Sequence, residues 1–264
     1  MKQIVRRVAG PAVLRAVAGL AVVIVVAQVV STTRLVDPQL VPSVFTVLRR
    51  AGELAVDPEF LGGVGTTLSA WLLGLVCAVV VAVPLGVLLG SLPGVNAAAR
   101  ILVEFLRPIP SVALIPLAII LFGGGTTMTG SLVFYASLWP ILINTVYALQ
   151  DVDPMAKDTL RAFGFGPLAL LWRVSLPSAA PFVATGVRLA ASIGIVVVIS
   201  AELLSGGSSG IGVFLLKSQT AAGHTDVILA GALWAGVIGL VINAVLVRAE
   251  RSAFAWFHAQ ATES

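Results

Sequence analysis

The residues able to do chemistry in this chain are few, and their placement rules out most reactions. There are two histidines, His224 and His258, and one cysteine, Cys77, which lies in an apolar run. A lone cysteine closes no intrachain disulfide and supplies no spaced metal set. No cluster of His, Asp, Glu, Ser or Cys falls inside the long apolar runs, as a membrane-embedded enzyme would need. Regularly spaced charges, glycines and prolines occur instead in DTLRAFGFGPLALLWRVSLP, residues 158–177. Such residues do not activate water or a nucleophile. They cap and turn helices and present charge to a partner.

The segment carries start and stop signals for two short helices. Asp153-Pro154 offers an N-cap followed by proline at the first helical position. Met155 to Phe163 then reads as about nine helical residues, or about 14 Å. Gly164 stands where a left-handed cap is wanted. Gly166-Pro167 restarts the chain, Leu168–Val174 forms a second helix, Leu176-Pro177 ends it, and Pro181 opens the next apolar segment. On the first helix Met155, Ala156, Thr159, Leu160 and Phe163 form one stripe, with Lys157, Asp158 and Arg161 on another face. A helix this short is marginal alone in water, so it must pack on something. A lipid interface and a protein partner suit these residues equally well.

A second candidate set is Glu202 with Ser200 and Arg188, polar positions of one apolar segment. An ionisable group at a bilayer centre costs roughly 2.5–3.5 kcal/mol and is a functional candidate by default. Glu202 is expected near the outer end of its span, hydrated there or paired with Arg or Lys from another span. Arg188 suits an anchor that snorkels to the interface.

The elements that position these residues are membrane spans. The 264 residues are 58% hydrophobic and only 11% charged, against about 25% charged in soluble domains. No charge interrupts Ala16–Thr33, Phe60–Ala99, Pro108–Gln150 or Val227–Val247, and about 20 apolar residues suffice for one span. The pattern predicts an all-α polytopic protein with six transmembrane helices, near 14–33, 65–91, 100–122, 130–149, 181–204 and 227–247. Residues 1–13 form an N-terminus, 14–250 the membrane domain and 251–264 a tail. Connections include an external segment (34–60) with a surface helix over Ser43–Ala55, a loop at 151–180, and an external Gly/Ser-rich loop at 205–226. Gly74, Ala78, Ala82 and Gly86 recur every four residues, marking a face where another helix can come close. Pro84 is expected to kink its span, and Pro108, Pro110 and Pro116 to bend or break the next. Glu104 and Arg107 are spaced to pair. Of the 16 Lys and Arg, only Arg34, Arg49, Arg50 and Lys217 fall on the side opposite the termini. This places both termini and the 151–180 loop in the cytoplasm. No basic patch is interleaved with exposed aromatics as in a nucleic-acid binder.

The spacing from 158 to 177 resembles the cytoplasmic signature loop of ABC-importer membrane subunits, often written Glu-Ala-Ala-x3-Gly-x9-Ile-x-Leu-Pro. Asp158, Thr159 and Leu160 stand at the Glu-Ala-Ala positions and differ from all three. Arg161, Ala162 and Phe163 fill the spacer and Gly164 the glycine, while Val174, Leu176 and Pro177 complete the pattern. LRPIPSVALIPLAIILFGGG (106–125), LPSAAPFVATGVRLA (176–190) and AELL (201–204) resemble the permeases that take up sulfonates, taurine, nitrate and related solutes.

The resemblance implies a type I importer permease in a bacterial inner membrane, two subunits forming the pore, as a homodimer. It implies two copies of a separate ATPase subunit holding ATP and Mg, docked on the signature loop, and an extracytoplasmic binding protein that delivers the solute. Glu202, Ser200 and Arg188 are expected to line or gate the translocation pathway of such a permease, and no cofactor is expected on this chain. It has no Gly-x4-Gly-Lys-Ser/Thr phosphate loop, so it is not expected to hydrolyse ATP. A secondary transporter driven by an ion gradient is the alternative. Inverted repeats and midplane charges would mark it, and neither is evident.

Overall fold

The computed structural model describes residues 42–220 and 225–255, with isolated helical positions between 15 and 31. The expected first span therefore lies largely outside the described residues, as do the N-terminus, the end of the tail, His224 and His258.

All regular structure among the described residues is helical. The order is α1 (Val44–Leu54), α2 (Pro58–Ser91), α3 (Pro93–Leu106), a 3-10 turn at Ser111–Leu114, α4 (Ile115–Phe122), α5 (Thr126–Gln150) and α6 (Pro154–Ala162). Then come α7 (Pro167–Ser205), α8 (Ile211–Thr220) and α9 (Thr225–Ala253). Four of these, α2, α5, α7 and α9, are long and apolar enough to cross a membrane. The pair Pro93–Leu106 and Ser111–Phe122, bent by 77°, makes a fifth if it is one span.

The sequence explains most boundaries. Ser43 caps α1, its Oγ accepting from the Thr46 N–H at 3.2 Å. Leu92 interrupts the chain, and Pro93 starts α3 where a missing N–H costs nothing. Between α3 and α4 the run Arg107-Pro108-Ile109-Pro110 leaves the helix, with Pro110 extended. Proline cannot donate to the preceding turn, so the expected break is present. Gly123 and Gly125 turn the chain into α5 with φ of 74° and 92°, angles that side chains resist. Pro84 and Pro140 lie inside continuous helices.

Two units pack separately. The larger comprises Gly62–Phe214 and the chain from Ala235 onward. Its core joins α2, α5 and α7. Ala70, Met128, Val133, Val198 and Ala201 form one cluster, and Ala78, Ala82, Ile141 and Ala190 a second. The small-residue face of α2 meets α5. A Cβ on Gly86 would fall 2.5 Å from the Thr145 Cβ, and one on Gly74 would meet the Gly130 carbonyl and Val133. Lipid supplies no hydrophobic drive between helices, so this close approach and its dispersion energy hold them. The Trp71 Nε1–H adds a bond to the Ala191 carbonyl at 2.9 Å.

The smaller unit holds the chain up to Leu61 and Leu215–Trp234. Arg50 donates to Asp226 at 2.7 Å and the Trp234 indole to the Ala51 carbonyl at 2.8 Å. The hydrogen bond to Asp226, then that to Glu53, raises the Arg50 pKa.

Three expectations need correction. Leu176-Pro177 does not end a helix, and Pro181 does not open one: α7 runs unbroken from Pro167 to Ser205. Leu171–Ser175 is a π-helical turn, and its wider spacing just before Pro177 removes the carbonyl clash that a proline ring makes in a regular α-helix. Glu104 pairs with Arg100 at 2.7 Å, not with Arg107, because Arg107 is the C-cap residue of α3 and sits past its last turn. The 205–226 loop contains α8.

Candidate coupling loop and translocation pathway

α6 is fixed at both ends by its own sequence. The Asp153 Oδ1 accepts from the Met155 N–H at 2.8 Å. At the other end the Gly164 N–H donates to the Arg161 carbonyl at 2.9 Å and the Phe165 N–H to the Leu160 carbonyl at 3.1 Å. This two-bond cap requires a left-handed residue, and Gly164 has φ 79°. Asp158 pairs with Arg161 at 2.8 Å, and the Thr159 hydroxyl donates to the Met155 carbonyl at 2.8 Å. Both bonds stay within α6. Lys157 reaches back to the Leu149 carbonyl at 3.2 Å and ties α6 to the end of α5.

No residue of α6 is buried. Met155 and Phe163 are 75% and 78% exposed, and Ala162 is exposed while Leu160 is half-buried. Beyond Gly164, Arg173 lies 4.9 Å from the centre of the Phe165 ring, a cation–π contact that stiffens the turn. Val174 and Leu176 are half-buried and Pro177 is exposed. The result is a short helix of fixed shape, with an apolar and charged surface, joined directly to α7.

The second candidate set does not form one site. Ser200 and Glu202 are two apart on α7, about 200° around the helix, so they face different ways. Arg188 is fourteen positions before Glu202, about 21 Å along the axis. It lies 3.4 Å from the Glu250 Oε2, while Thr185 donates to the Glu250 Oε1 at 3.1 Å. That Oε2 is buried and makes no hydrogen bond of good geometry among the described residues, so the contact is a loose ion pair. Ser200 is half-buried.

Glu202 is only 3% exposed. The Thr67 hydroxyl lies 2.9 Å from each of its carboxylate oxygens, and the Gly212 N–H donates to Oε2 at 3.0 Å. The Ile211 N–H in turn donates to the Thr67 oxygen at 2.9 Å. The first two N–H groups of α8 are thus capped by side chains of α7 and α2. An acceptor at this end also suits the helix dipole. The chain leaves room by using glycine: a Cβ on Gly210 or Gly212 would collide with Glu202. The expected pairing of Glu202 with a cation is therefore replaced, among the described residues, by two neutral donors. Sequence reasoning missed Thr67 and Glu250. Glu250 was visible as a charge at a span end, but nothing in the sequence marked Thr67.

A sequence model described as the binding-protein-dependent transport system inner membrane component matches residues 82–252. The chain belongs to this family. An ABC transporter permease protein of Methanocaldococcus jannaschii is 33% identical over 183 residues, 69% of this chain and 68% of that one. The taurine transport system permease protein TauC of Escherichia coli is 28% identical over 242 residues, 90% and 87% of the two chains. The nitrate import permease protein NrtB of Leptolyngbya laminosa is 26% identical over 209 residues, 76% and 74%.

Solved structures show the same fold. An inward-facing MetNI methionine ABC transporter chain aligns with TM-score 0.59 at 20% identity, over 83% of this chain and 99% of that one. A chain of a bacterial alginate ABC transporter, solved with a pentasaccharide-bound periplasmic protein, gives 0.63 at 12% identity over 95% and 94%. The family segment takes in α6, Gly164, Arg188, Ser200, Glu202 and Glu250. Thr67 and α1 lie outside it. This ABC importer permease thus carries its loop and its pathway candidates within the family segment.

Proposed function

We propose that the chain is the pore-forming subunit of an ATP-driven importer of a small oxyanion-bearing solute, such as a sulfonate, taurine or nitrate. An extracytoplasmic binding protein delivers the solute and two copies of a separate ATPase hold the ATP and Mg. On this reading two copies of the chain pair, each with six spans, the first at 14–33. Both termini are cytoplasmic, 1–13 and 251–264 flank the membrane domain, and the chain has no ATPase site or cofactor of its own. The residues Asp158 to Gly164, with Val174, Leu176 and Pro177, form the ATPase-docking element. Arg188 and Glu202 hold the helices around the pathway, and Ser200 faces elsewhere on α7.

The observation that carries this reading is α6 itself. It is capped at both ends and buries no residue, and Met155 within it and Phe163 at its C-cap are exposed. It is also joined through Gly164 to a 39-residue helix, about 58 Å long. A lipid-surface hairpin would need no such rigid connection.

Co-purification with its ATPase and reconstitution with the binding protein test the proposal. Uptake of taurine or nitrate is expected to require ATP and the binding protein and to stop with vanadate. Uptake driven by an ion gradient without ATP would replace it with the secondary-transporter reading.

A further inference from the structure

The break in the α3–α4 span opens a cavity of about 400 Å³ lined by Arg107, Ser111, Tyr135, Trp139, Asn144 and Ile193, among others. Small-molecule sites span about 300–1,000 Å³, so the space suits a compact solute. Irregular backbone at membrane depth persists where it lines a cavity or is covered by protein. Trp139 is one residue from the midpoint of α5 (Thr126–Gln150), so the cavity lies at mid-length of that span, and Arg107, grouped by sequence with the side of the termini, stands at that depth instead.

Its electrostatics are one-sided. Arg107 has no ion pair among the described residues, because Glu104 is taken by Arg100 at 2.7 Å. Among the described residues no carboxylate lines the cavity. A second, smaller cavity of about 190 Å³ shares Arg107 and contains that Arg100–Glu104 pair. The Trp139 Nε1–H is buried and has no hydrogen-bond partner among the described residues, which native structures rarely tolerate without a reason. Tyr135 and Trp139 meet edge to face, 5.7 Å apart at 83°. The Tyr135 hydroxyl donates to the Leu106 carbonyl at 2.7 Å, pinning this aromatic wall to the end of α3. One N–H of the Asn144 amide donates to the Pro140 carbonyl at 2.8 Å.

We propose that Arg107 and this cavity form a transit site for a small oxyanion, with the Arg107 guanidinium as its charge partner and the Trp139 indole N–H as a second donor. A guanidinium presents parallel N–H groups that match two oxygens of a sulfonate or nitrate. One cation without a counterion attracts the anion, and the lack of further charges lets it leave, as conduction requires. A cationic solute would find no partner here. The inference rests on the importer reading and its oxyanion class, and adds the residues that contact the solute.

The test uses the full reconstituted complex in proteoliposomes, with radiolabelled taurine and nitrate as probes and ATP hydrolysis measured in parallel. Arg107→Gln is expected to lower solute taken up per ATP hydrolysed about 10- to 100-fold, the loss of a charge-assisted hydrogen bond. Arg107→Lys is expected to recover part of this, since the charge remains and the fork is lost. Trp139→Phe keeps the ring, removes the N–H, and is expected to lower uptake about 3- to 10-fold through KM. Arg107→Gln and Trp139→Phe with wild-type uptake per ATP would overturn the proposal. If Arg107→Gln does not fold, Arg107→Lys and Trp139→Phe decide it. A wild-type complex that imports only an uncharged or cationic solute overturns this inference and leaves the importer reading standing. A wild-type complex without ATP-dependent uptake overturns both.

Discussion

Thr67→Val probes the buried node at the end of α7. The change is nearly isosteric and removes only the hydroxyl. Thr67 is 1% exposed, so water does not replace what is lost. Two interactions disappear: the donor to the Glu202 carboxylate at 2.9 Å and the acceptor for the Ile211 N–H at 2.9 Å. A hydrogen bond to a charged group contributes about 1.5–3 kcal/mol, and a buried unsatisfied N–H costs about 1–3 kcal/mol. The losses share one site and do not add fully, so a net cost of about 3 kcal/mol is expected. At about 2–4 °C per kcal/mol for a chain of this size, the purified protein should unfold about 6–12 °C earlier. A cycle with Glu202→Gln sharpens the test. The two groups touch, so their costs should couple by about 1–3 kcal/mol. A fall under about 2 °C, or strictly additive costs, would refute the claim that Thr67 and Glu202 act together to cap α8.

Other substitutions bear on the loop and the packing. Gly164→Val places a β-branched residue at φ 79°, a strain of about 1–2 kcal/mol or more. Membrane insertion should survive while uptake per ATP hydrolysed falls, and normal coupling in proteoliposomes would count against a rigid-loop role. Arg188→Met should cost more than Glu250→Gln. The first strands a carboxylate whose side chain is 14% exposed. The second gives up only a loose 3.4 Å pair, worth about 1 kcal/mol or less; thermal unfolding of both variants checks the order. Gly86→Val drives side-chain atoms into Thr145 and should destabilise by about 1–3 kcal/mol, measured as loss of folded protein in detergent.

What could be read from the sequence follows from how far each cause reaches. The α6 cap was legible because Asp153, Pro154 and Gly164 act on backbone groups only a few residues away. The break at 107–110 was legible because proline removes its own N–H. The small-residue face of α2 was legible because a period of four fixes a helix side. The π-turn at Leu171–Ser175 was not, since a proline in that position reads as a stop unless the preceding turn can widen. The Arg100–Glu104 pair was not, because two cations flank Glu104 at helical spacing and only the end of α3 decides between them. Thr67 was invisible for a different reason: its partners Glu202 and Ile211 lie 135 and 144 positions away. A buried threonine in an apolar run looks the same with or without them.

These pieces give α7 a mechanical reading. One end continues from α6 through Gly164, whose cap fixes the angle between α6 and α7. The other end is clamped by Glu202 to Thr67 of α2 and to the first turn of α8. Between them Thr185 and Arg188 hold Glu250 of α9. The irregular turn at Leu171–Ser175 sits close to the loop. From Leu176 to Ser205 the helix is regular, about 45 Å of stiff rod. On the proposed reading, a displacement imposed at α6 has little backbone slack along α7 in which to dissipate. The buried carboxylate is then best understood by what it holds together. Its acceptor oxygens join three helices at the far end of the rod, and the glycines at 210 and 212 exist to let them meet.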